Sequence, residues 1–273
     1  MVTLALLSTL LLQVATPGEM SCLGFIQDAP APLNIYVSGT EEDEVNNYSH
    51  VGQLLYLDGP AASSLKPGEL YRVVRPDGRI RDKITGATVG IYHMELGTVR
   101  IEAVRRDGAS ASVIHSCHVI LKGDILLPTV ARQPARFDGK LSDRLTPFSD
   151  DGTMSSIILG KNGIREMGAG DFCFIALGRR DGIKVGDRFT VFRPQPPFNS
   201  HDLDLAGSKG GAAYEQYSSH KYRGVLSGLL KNRKAPPRML GDLVVLDVQE
   251  GAAVTKIINS LAEINIGDIV IRR

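Results

Sequence analysis

The only local cluster of residue types that could ligate a metal is His115-Ser116-Cys117-His118. Imidazole nitrogens and thiolate sulfurs are donors for Zn²⁺, and a structural zinc site needs about four of them in a tetrahedral array. No second cluster in the sequence supplies the missing donors. The sequence therefore predicts no metal site and no cofactor.

Sequence motifs for catalysis are absent as well. The chain contains no Gly-x-Ser-x-Gly nucleophile turn, no phosphate-binding glycine loop followed by Lys-Ser or Lys-Thr, and no His-Glu-x-x-His. Gly168-Ala169-Gly170-Asp171 has the glycine spacing of a dinucleotide loop, but it precedes a predicted strand, whereas such a loop follows a strand and opens a helix. We therefore predict no catalytic residues and a protein that is not an enzyme.

The three cysteines leave two interpretations open. In an exported protein, a disulfide between Cys22 and Cys117 would join the N-terminal segment to the first domain. Alternatively, all three cysteines are unpaired, small apolar side chains. Cys173 lies in the apolar run Asp171-Phe172-Cys173-Phe174-Ile175, which predicts a buried thiol in a strand.

Overall charge gives no sign of a nucleic-acid or membrane-surface partner, because 31 Lys and Arg balance 30 Asp and Glu. Tryptophan is absent and aromatic residues make up 6%, which disfavours surfaces that bind bases or sugars by stacking. No nucleic-acid partner is expected.

One segment departs from this balance. Residues 195–239 form a long insertion whose second half carries six basic residues and no acidic residue: Lys221, Arg223, Lys231, Arg233, Lys234 and Arg238. Such a segment creates a local positive field that could attract an anionic wall polymer or the acidic face of an envelope protein. The competing interpretation is a solvated loop whose charges only keep it soluble.

The N-terminus carries an apolar run of fourteen residues, Val2 to Ala15. This run is too short to span a bilayer as a helix, which needs roughly 20 residues, but it suits the core of a secretory signal peptide cleaved shortly after Ala15. No Lys or Arg precedes the run, so an ordinary buried strand or helix is the alternative. We predict a leader over residues 1–24, export to the periplasm or cell envelope, and no transmembrane span in the mature chain.

Two stretches of the sequence recur in the same order. Val51 to Pro76 aligns without a gap on Ala169 to Pro194, an offset of 118, and Leu96 to Leu127 aligns on Leu240 to Ile271, an offset of 144. Identical pairs include Gly52/Gly170, Lys66/Lys184, Gly68/Gly186, Arg75/Arg193, Gly97/Gly241 and Gly123-Asp124-Ile125/Gly267-Asp268-Ile269. The sequence therefore predicts an internal repeat, with 26 more residues between the two blocks of its second copy.

Each copy contains a lead-in strand and five further short strands separated by glycine turns. Residues 188–193, for example, place Phe189 and Val191 at the two-residue period of a half-buried strand. With no long amphipathic helix, this pattern predicts an all-β protein of two tandem small SH3-like β-barrels. The expected divisions are a first barrel over 33–128, a linker over 129–152 and a second barrel over 153–273, with residues 195–239 inserted in it.

The repeat also resembles a known family. Three stretches of the second copy are similar to the C-terminal domain of bacterial flagellar assembly protein T. They are Gly182-Ile183-Lys184-Val185-Gly186-Asp187-Arg188-Phe189-Thr190-Val191-Phe192-Arg193, Leu240-Gly241-Asp242-Leu243-Val244-Val245 and Ile266-Gly267-Asp268. They also resemble uncharacterised exported bacterial envelope proteins with two such units. The resemblance implies a small β-barrel, an envelope location and a non-catalytic role.

Together these observations lead us to expect a non-catalytic binding or scaffolding protein of the bacterial cell envelope. The alternative is an accessory or catalytic unit of a cell-wall-acting enzyme, with a site between the two barrels.

Neutralising Lys231, Arg233 and Lys234 together should weaken binding to envelope fractions without unfolding the barrels. In the parent chain, this binding should also fall as salt rises, because exposed charges are screened beyond roughly 8–10 Å at physiological ionic strength. Binding of parent and triple variant to envelope fractions, measured at several salt concentrations, checks both effects. A triple variant with full affinity for every fraction that the parent binds would make the segment only a linker.

Overall fold

A computed structural model describes residues 14–41, 51–133, 135–137, 139–148, 152–195 and 236–273 of the chain. The protein is all-β, with two closed six-stranded antiparallel barrels. Five of the six basic residues of the predicted binding segment, all except Arg238, lie outside the described residues, as do most of the apolar N-terminal run and of the inserted loop.

The first barrel is formed by six strands: β2 (Tyr36–Thr40), β3 (Leu54–Asp58), β4 (Leu70–Arg81), β5 (Thr88–Arg105), β6 (Gly108–Ser116) and β7 (Ile125–Pro128). A short helix, α1 (Pro17–Met20), and strand β1 (Phe25–Gln27) precede it, and β1 pairs with β5 outside the barrel. A 3₁₀ turn (Ala62–Ser64) lies between β3 and β4.

The second barrel is formed by β8 (Met154–Gly160), β10 (Phe172–Ile175), β11 (Arg188–Arg193), β12 (Arg238–Val248), β13 (Ala253–Ser260) and β15 (Ile269–Arg272). Beside it, β9 (Glu166–Met167) pairs with β14 (Ile264–Asn265). Two 3₁₀ turns (Lys161–Gly163 and Arg179–Asp181) complete the unit.

The two barrels pair their strands in the same order. Around the first barrel the order is β2-β3-β6-β5-β4-β7, and around the second it is β8-β10-β13-β12-β11-β15. Strands at the same position therefore have the same partners, and closure leaves neither barrel with an unpaired edge of its own.

Strand bounds follow the sequence pattern except where two strands run past the barrel. Residues 188–193 form β11 as predicted. Strands β4 and β5, of 12 and 18 residues, are longer than the short strands that the sequence predicts. Their ends form a hairpin that reaches out of the first barrel. In the second barrel, β12 begins at Arg238, so the predicted loop over 195–239 is too long at its C-terminal end.

All four central residues of β11 are buried, because both faces of this strand are covered. Phe189 and Val191 point into the barrel core, as their spacing predicts. The opposite face is covered by the linker, where Phe192 packs edge-on against Phe148 and Thr190 lies 3.2 Å from the Ser142 hydroxyl. The linker thus forms part of the second barrel's covering.

The turns before β4 and β11 share one backbone conformation. Gly68 has φ 88° and Gly186 has φ 90°, in the left-handed region that only glycine adopts without strain. Their amides donate to the carbonyl oxygens of Ile101 and Val245, which are again 144 residues apart. The matched glycines of the two repeated blocks therefore form the same kind of turn.

Each barrel also contains one buried aspartate held by an arginine with two hydrogen bonds. Asp124 accepts from Nε and Nη2 of Arg75, both at 2.7 Å, and Asp268 accepts from the same atoms of Arg193 at 2.7 and 2.9 Å. The carboxylates are only 3% and 5% exposed. Hydrogen bonding to Asp124 and Asp268 outweighs burial and raises the pKa of both arginines.

The described part of the N-terminal segment packs into the fold, and the leader over residues 1–24 stays a prediction. Leu23 is fully buried, and Ala15 and Met20 are 2% and 5% exposed. They share an apolar cluster with residues of both barrels: Tyr92, Ile158, Phe174, Val244, Leu246 and Val254 among them.

Among the residues that the structure describes, no helix combines the length and apolarity needed to cross a membrane.

Replacing Arg75 with Leu should lower the free energy of unfolding by about 3 kcal/mol, since it leaves the buried Asp124 carboxylate without its partner. Urea denaturation of parent and variant measures the change. Arg100→Leu is the matched control, because Arg100 and its partner Glu102 are 51% and 40% exposed, and the urea midpoint of this variant should stay close to that of the parent. Equal losses in the two variants would contradict the structural role of the buried pair.

Candidate functional site

The candidate binding site lies between the barrels, where a cluster of four charged side chains joins them. Glu95 on β5 is 1% exposed, and its carboxylate binds two arginines. Arg132 of the linker donates from both terminal nitrogens at 2.8 Å, and Arg72 on β4 donates at 2.7 Å. Arg132 also reaches Asp247 on β12, 2.9 Å away. We call Glu95, Arg72, Arg132 and Asp247 the Glu95 cluster.

This cluster fixes four chain segments at once. Besides joining the first barrel, the linker and the second barrel, it holds the N-terminal segment. The Gly24 amide donates to Glu95 at 3.1 Å, and Arg132 donates to the Met20 carbonyl oxygen at 2.8 Å. Burial disfavours the charged form of Glu95, but Arg132 and Arg72 outweigh it, so the pKa of Glu95 lies below its ordinary value.

Strand β1 is positioned on the hairpin by ring stacking. Phe25 stacks on His93 of β5, with the ring centroids 4.8 Å apart, and the Arg72 guanidinium lies 4.4 Å above Phe25. His93 Nε2 accepts from the Ala31 amide at 3.0 Å, so Nδ1 carries the proton and faces the Ile91 carbonyl oxygen. Burial lowers the pKa of His93, which keeps this neutral form.

Beside β1 lies a groove with a cavity volume of about 310 Å³. One wall is β1 and the other is the turn that joins β12 to β13 in the second barrel. Its lining includes three members of the Glu95 cluster and the following residues: Phe25, Ile26, Gln27, Asp28, Val89, Val130, Arg179, Val248, Gln249, Glu250 and Gly251. We call this cavity the β1 groove.

Charges in the β1 groove are already paired within the protein. Besides the Arg132–Asp247 pair, Arg179 contacts Glu250, and Asp28 is 2.8 Å from Arg180. Each of the three carboxylates that line the groove therefore lies beside an arginine. Among the described residues, each of these carboxylates is thus engaged in an ion pair.

Hydrogen-bonding groups without a partner do occur in the groove. Gln249 has both side-chain amide atoms buried, and neither finds a partner among the described residues. The same is true of Nε of Arg72. In addition, β1 pairs with β5 alone in the described part of the chain, so its second edge carries unpaired backbone groups. The groove can thus accept a ligand that both donates and accepts hydrogen bonds.

A second cavity of about 480 Å³ lies on the far side of the β4–β5 hairpin tip. It shares Val89 and Gly251 with the β1 groove and is lined mainly by small or apolar side chains: Ile84, Ala87, Thr88, Met154, Ala176, Leu177 and Ile269 among them. Ser156 of the second barrel donates to Asp82 of the hairpin at 2.7 Å, which fixes the hairpin tip against that barrel.

The structure does not bring the residues of the predicted site to this groove. Arg238, the one described member of the basic set, is exposed at the start of β12. The groove lies at the other end of that eleven-residue strand, about 33 Å away at the usual rise.

Cys22 and Cys117 are joined by a disulfide, with Cα atoms 6.0 Å apart, and Cys173 is a buried thiol.

The groove residues themselves were not singled out in the sequence. A signal for Glu95 does exist, since a carboxylate inside the apolar pattern of β5 requires a buried cationic partner. Nothing in the sequence marks Gln249, because its lack of a partner depends on how the two barrels pack.

The chain matches no family model, and no curated protein matches it. The likeness to flagellar assembly protein T stays a prediction from the motifs alone.

The Glu95→Gln variant should lose about 3 kcal/mol of stability at pH 7, since it removes the charge that holds two arginines. The pKa of Glu95 is lower in the folded state, so its stabilisation is complete above the ordinary value of 4.5 and disappears as the pH falls through the lower folded value. The difference from the parent should therefore shrink below that range, which urea midpoints at pH 7, 5 and 3 would show.

Glu102→Gln is the control for this series, because Glu102 lies at the surface. Its midpoint should stay close to that of the parent at each pH. A loss in Glu95→Gln that is the same at every pH would contradict a charged Glu95 in the folded protein.

Proposed function

We propose that this protein is a non-catalytic binding or scaffolding protein of the bacterial cell envelope, exported and built from two duplicated SH3-like barrels. Its binding surface is the β1 groove, and the partner is an extended segment of another envelope protein. The observation that carries the proposal concerns the described residues, among which one edge of β1 and the buried amide of Gln249 beside it have no hydrogen-bond partner.

An extended polypeptide carries both hydrogen-bond donors and acceptors, which are the groups that the edge of β1 and the Gln249 amide could bind. A peptide added beside β1 would supply backbone donors and acceptors to the open edge, as in other cases of strand addition. The Gln249 side chain offers one donor group and one acceptor, which a single backbone amide of the incoming segment could satisfy. Apolar side chains of the segment could enter the second cavity around Val89 and Gly251.

The proposal that one barrel is a duplicate of the other is supported by an arginine–aspartate pair that recurs at equivalent sequence positions. Arg75 and Arg193, which hold the buried aspartates, are 118 residues apart, and Asp124 and Asp268 are 144 apart. These are the offsets of the two repeated blocks in the sequence.

The alternative of an enzyme site between the barrels is less well supported. Hydrolysis of a wall polymer by paired carboxylates needs one to donate a proton and the other to remain free as base or nucleophile. In the β1 groove, Asp28, Asp247 and Glu250 each form an ion pair with an arginine, which leaves no described pair of carboxylates facing each other there.

A screen of synthetic extended peptides drawn from envelope proteins tests the binding surface. A bound peptide should shift the backbone amide resonances of residues 25–27 and 247–251. Gln249→Leu should weaken binding about tenfold, since a buried pair of hydrogen bonds is lost. Gln53→Leu is the matched control, because Gln53 is also buried with an unpartnered oxygen but lies outside the groove.

Two results would overturn the groove assignment: no peptide that shifts these amides, or equal affinity in the two glutamine variants. The proposed location is tested separately by fractionating bacteria that produce the full chain. Recovery in the cytoplasmic fraction alone would refute export without bearing on the groove.

A further inference from the structure

Three donor side chains meet where the N-terminal segment joins the first barrel. The sulfur atoms of Cys22 and Cys117 and a ring nitrogen of His115 all lie within 4.8 Å of one another. Nε2 of His115 is 3.3 Å from the Cys22 sulfur, and each of the three residues is partly exposed. Within the described chain, only these three residues form such a group.

We propose that these residues form a binding site for a thiophilic divalent cation such as Zn²⁺ once the disulfide is reduced. A dithiol would supply two electrons and two protons, becoming a disulfide itself while the Cys22–Cys117 bond opens to two thiols. The cation then displaces both thiol protons and binds two thiolates and the neutral imidazole. A water molecule completes the four-coordinate arrangement.

The distances suit such a site. Zinc binds sulfur at about 2.3 Å and imidazole nitrogen at about 2.0 Å, so neighbouring donors in a tetrahedron lie about 3.5–3.8 Å apart. The distance from His115 to the Cys22 sulfur is already 3.3 Å. The cysteine sulfurs need only separate by a rotation of their side chains.

Backbone contacts keep the donors together without the disulfide. Two residues after Cys22, the Gly24 amide donates to Glu95 of β5 at 3.1 Å, and the Cys117 amide donates to the Leu96 carbonyl oxygen of β5 at 2.7 Å. His115 is held in the β5–β6 ladder opposite Thr98. Opening the sulfur–sulfur bond therefore leaves the three side chains near one another.

The cation would take over the mechanical role of the disulfide. Cys22 lies just before β1, and Cys117 follows β6, so either link holds the N-terminal segment on the first barrel. The site is distinct from the β1 groove and does not depend on the function proposed for it.

Co²⁺ titration of the full chain tests the site. The protein is reduced with a dithiol, freed of it by desalting without oxygen, and titrated while the thiolate-to-cobalt absorption band is recorded. We expect one Co²⁺ per chain with the band of two thiolates, displaced by Zn²⁺, and no band in the oxidised protein.

The matched variants are His115→Gln and His118→Gln. His118 follows Cys117 directly but contacts Asn162 rather than the cluster. Loss of the His115 ligand should weaken Co²⁺ binding by more than about tenfold, since even outer-shell changes cost 10–100-fold. The His118 variant should bind as the parent does. The same titration of Cys173→Ser should give an unchanged thiolate band.

Three results would overturn the proposal: no thiolate band in the reduced parent, equal affinity in the two histidine variants, or loss of the band in Cys173→Ser. If reduction loosens the fold, circular dichroism during the titration decides instead. Co²⁺ should then raise the thermal midpoint of the reduced parent but not that of His115→Gln, and no rise in the parent would refute the site.

Discussion

The buried carboxylate of Glu95 is the constraint on which the arrangement of the barrels depends. A charge that is 1% exposed has lost its water, and the loss is tolerable only where hydrogen-bonded cations replace it. Arg72 and Arg132 do so, and Arg132 is in turn shared with Asp247 and the Met20 carbonyl oxygen. Because these groups come from four segments, satisfying Glu95 fixes both barrels, the linker and the N-terminal segment together.

The same principle operates inside each barrel, at Asp124 and Asp268. Each aspartate directly follows a glycine of positive φ and accepts two hydrogen bonds from an arginine, Arg75 of β4 or Arg193 of β11. A buried ion pair adds little net stability but disfavours other registers, since any slip leaves a carboxylate unpaired. Two barrels with the same device and strand order support the proposal that one unit was duplicated.

Local features of the fold could be predicted from the sequence, whereas the groove could not. The period of Phe189 and Val191 identified β11, and the glycines at 68 and 186 marked turns, because both signals depend only on neighbouring residues. The outward extension of β4 and β5 was missed, since its partners are β1 and the second barrel. Gln249 carries no local signal either, because its burial arises only when a turn of one barrel meets the N-terminal segment of the other.

We infer that the Glu95 cluster joins the two barrels into one folding unit. Differential scanning calorimetry of the parent and of Arg132→Met tests it most directly. For the parent we expect a single transition whose calorimetric and van't Hoff enthalpies agree. In Arg132→Met the transition should move to lower temperature and separate into two, one for each barrel. Two independent transitions in the parent, or an unchanged single transition in the variant, would contradict the account.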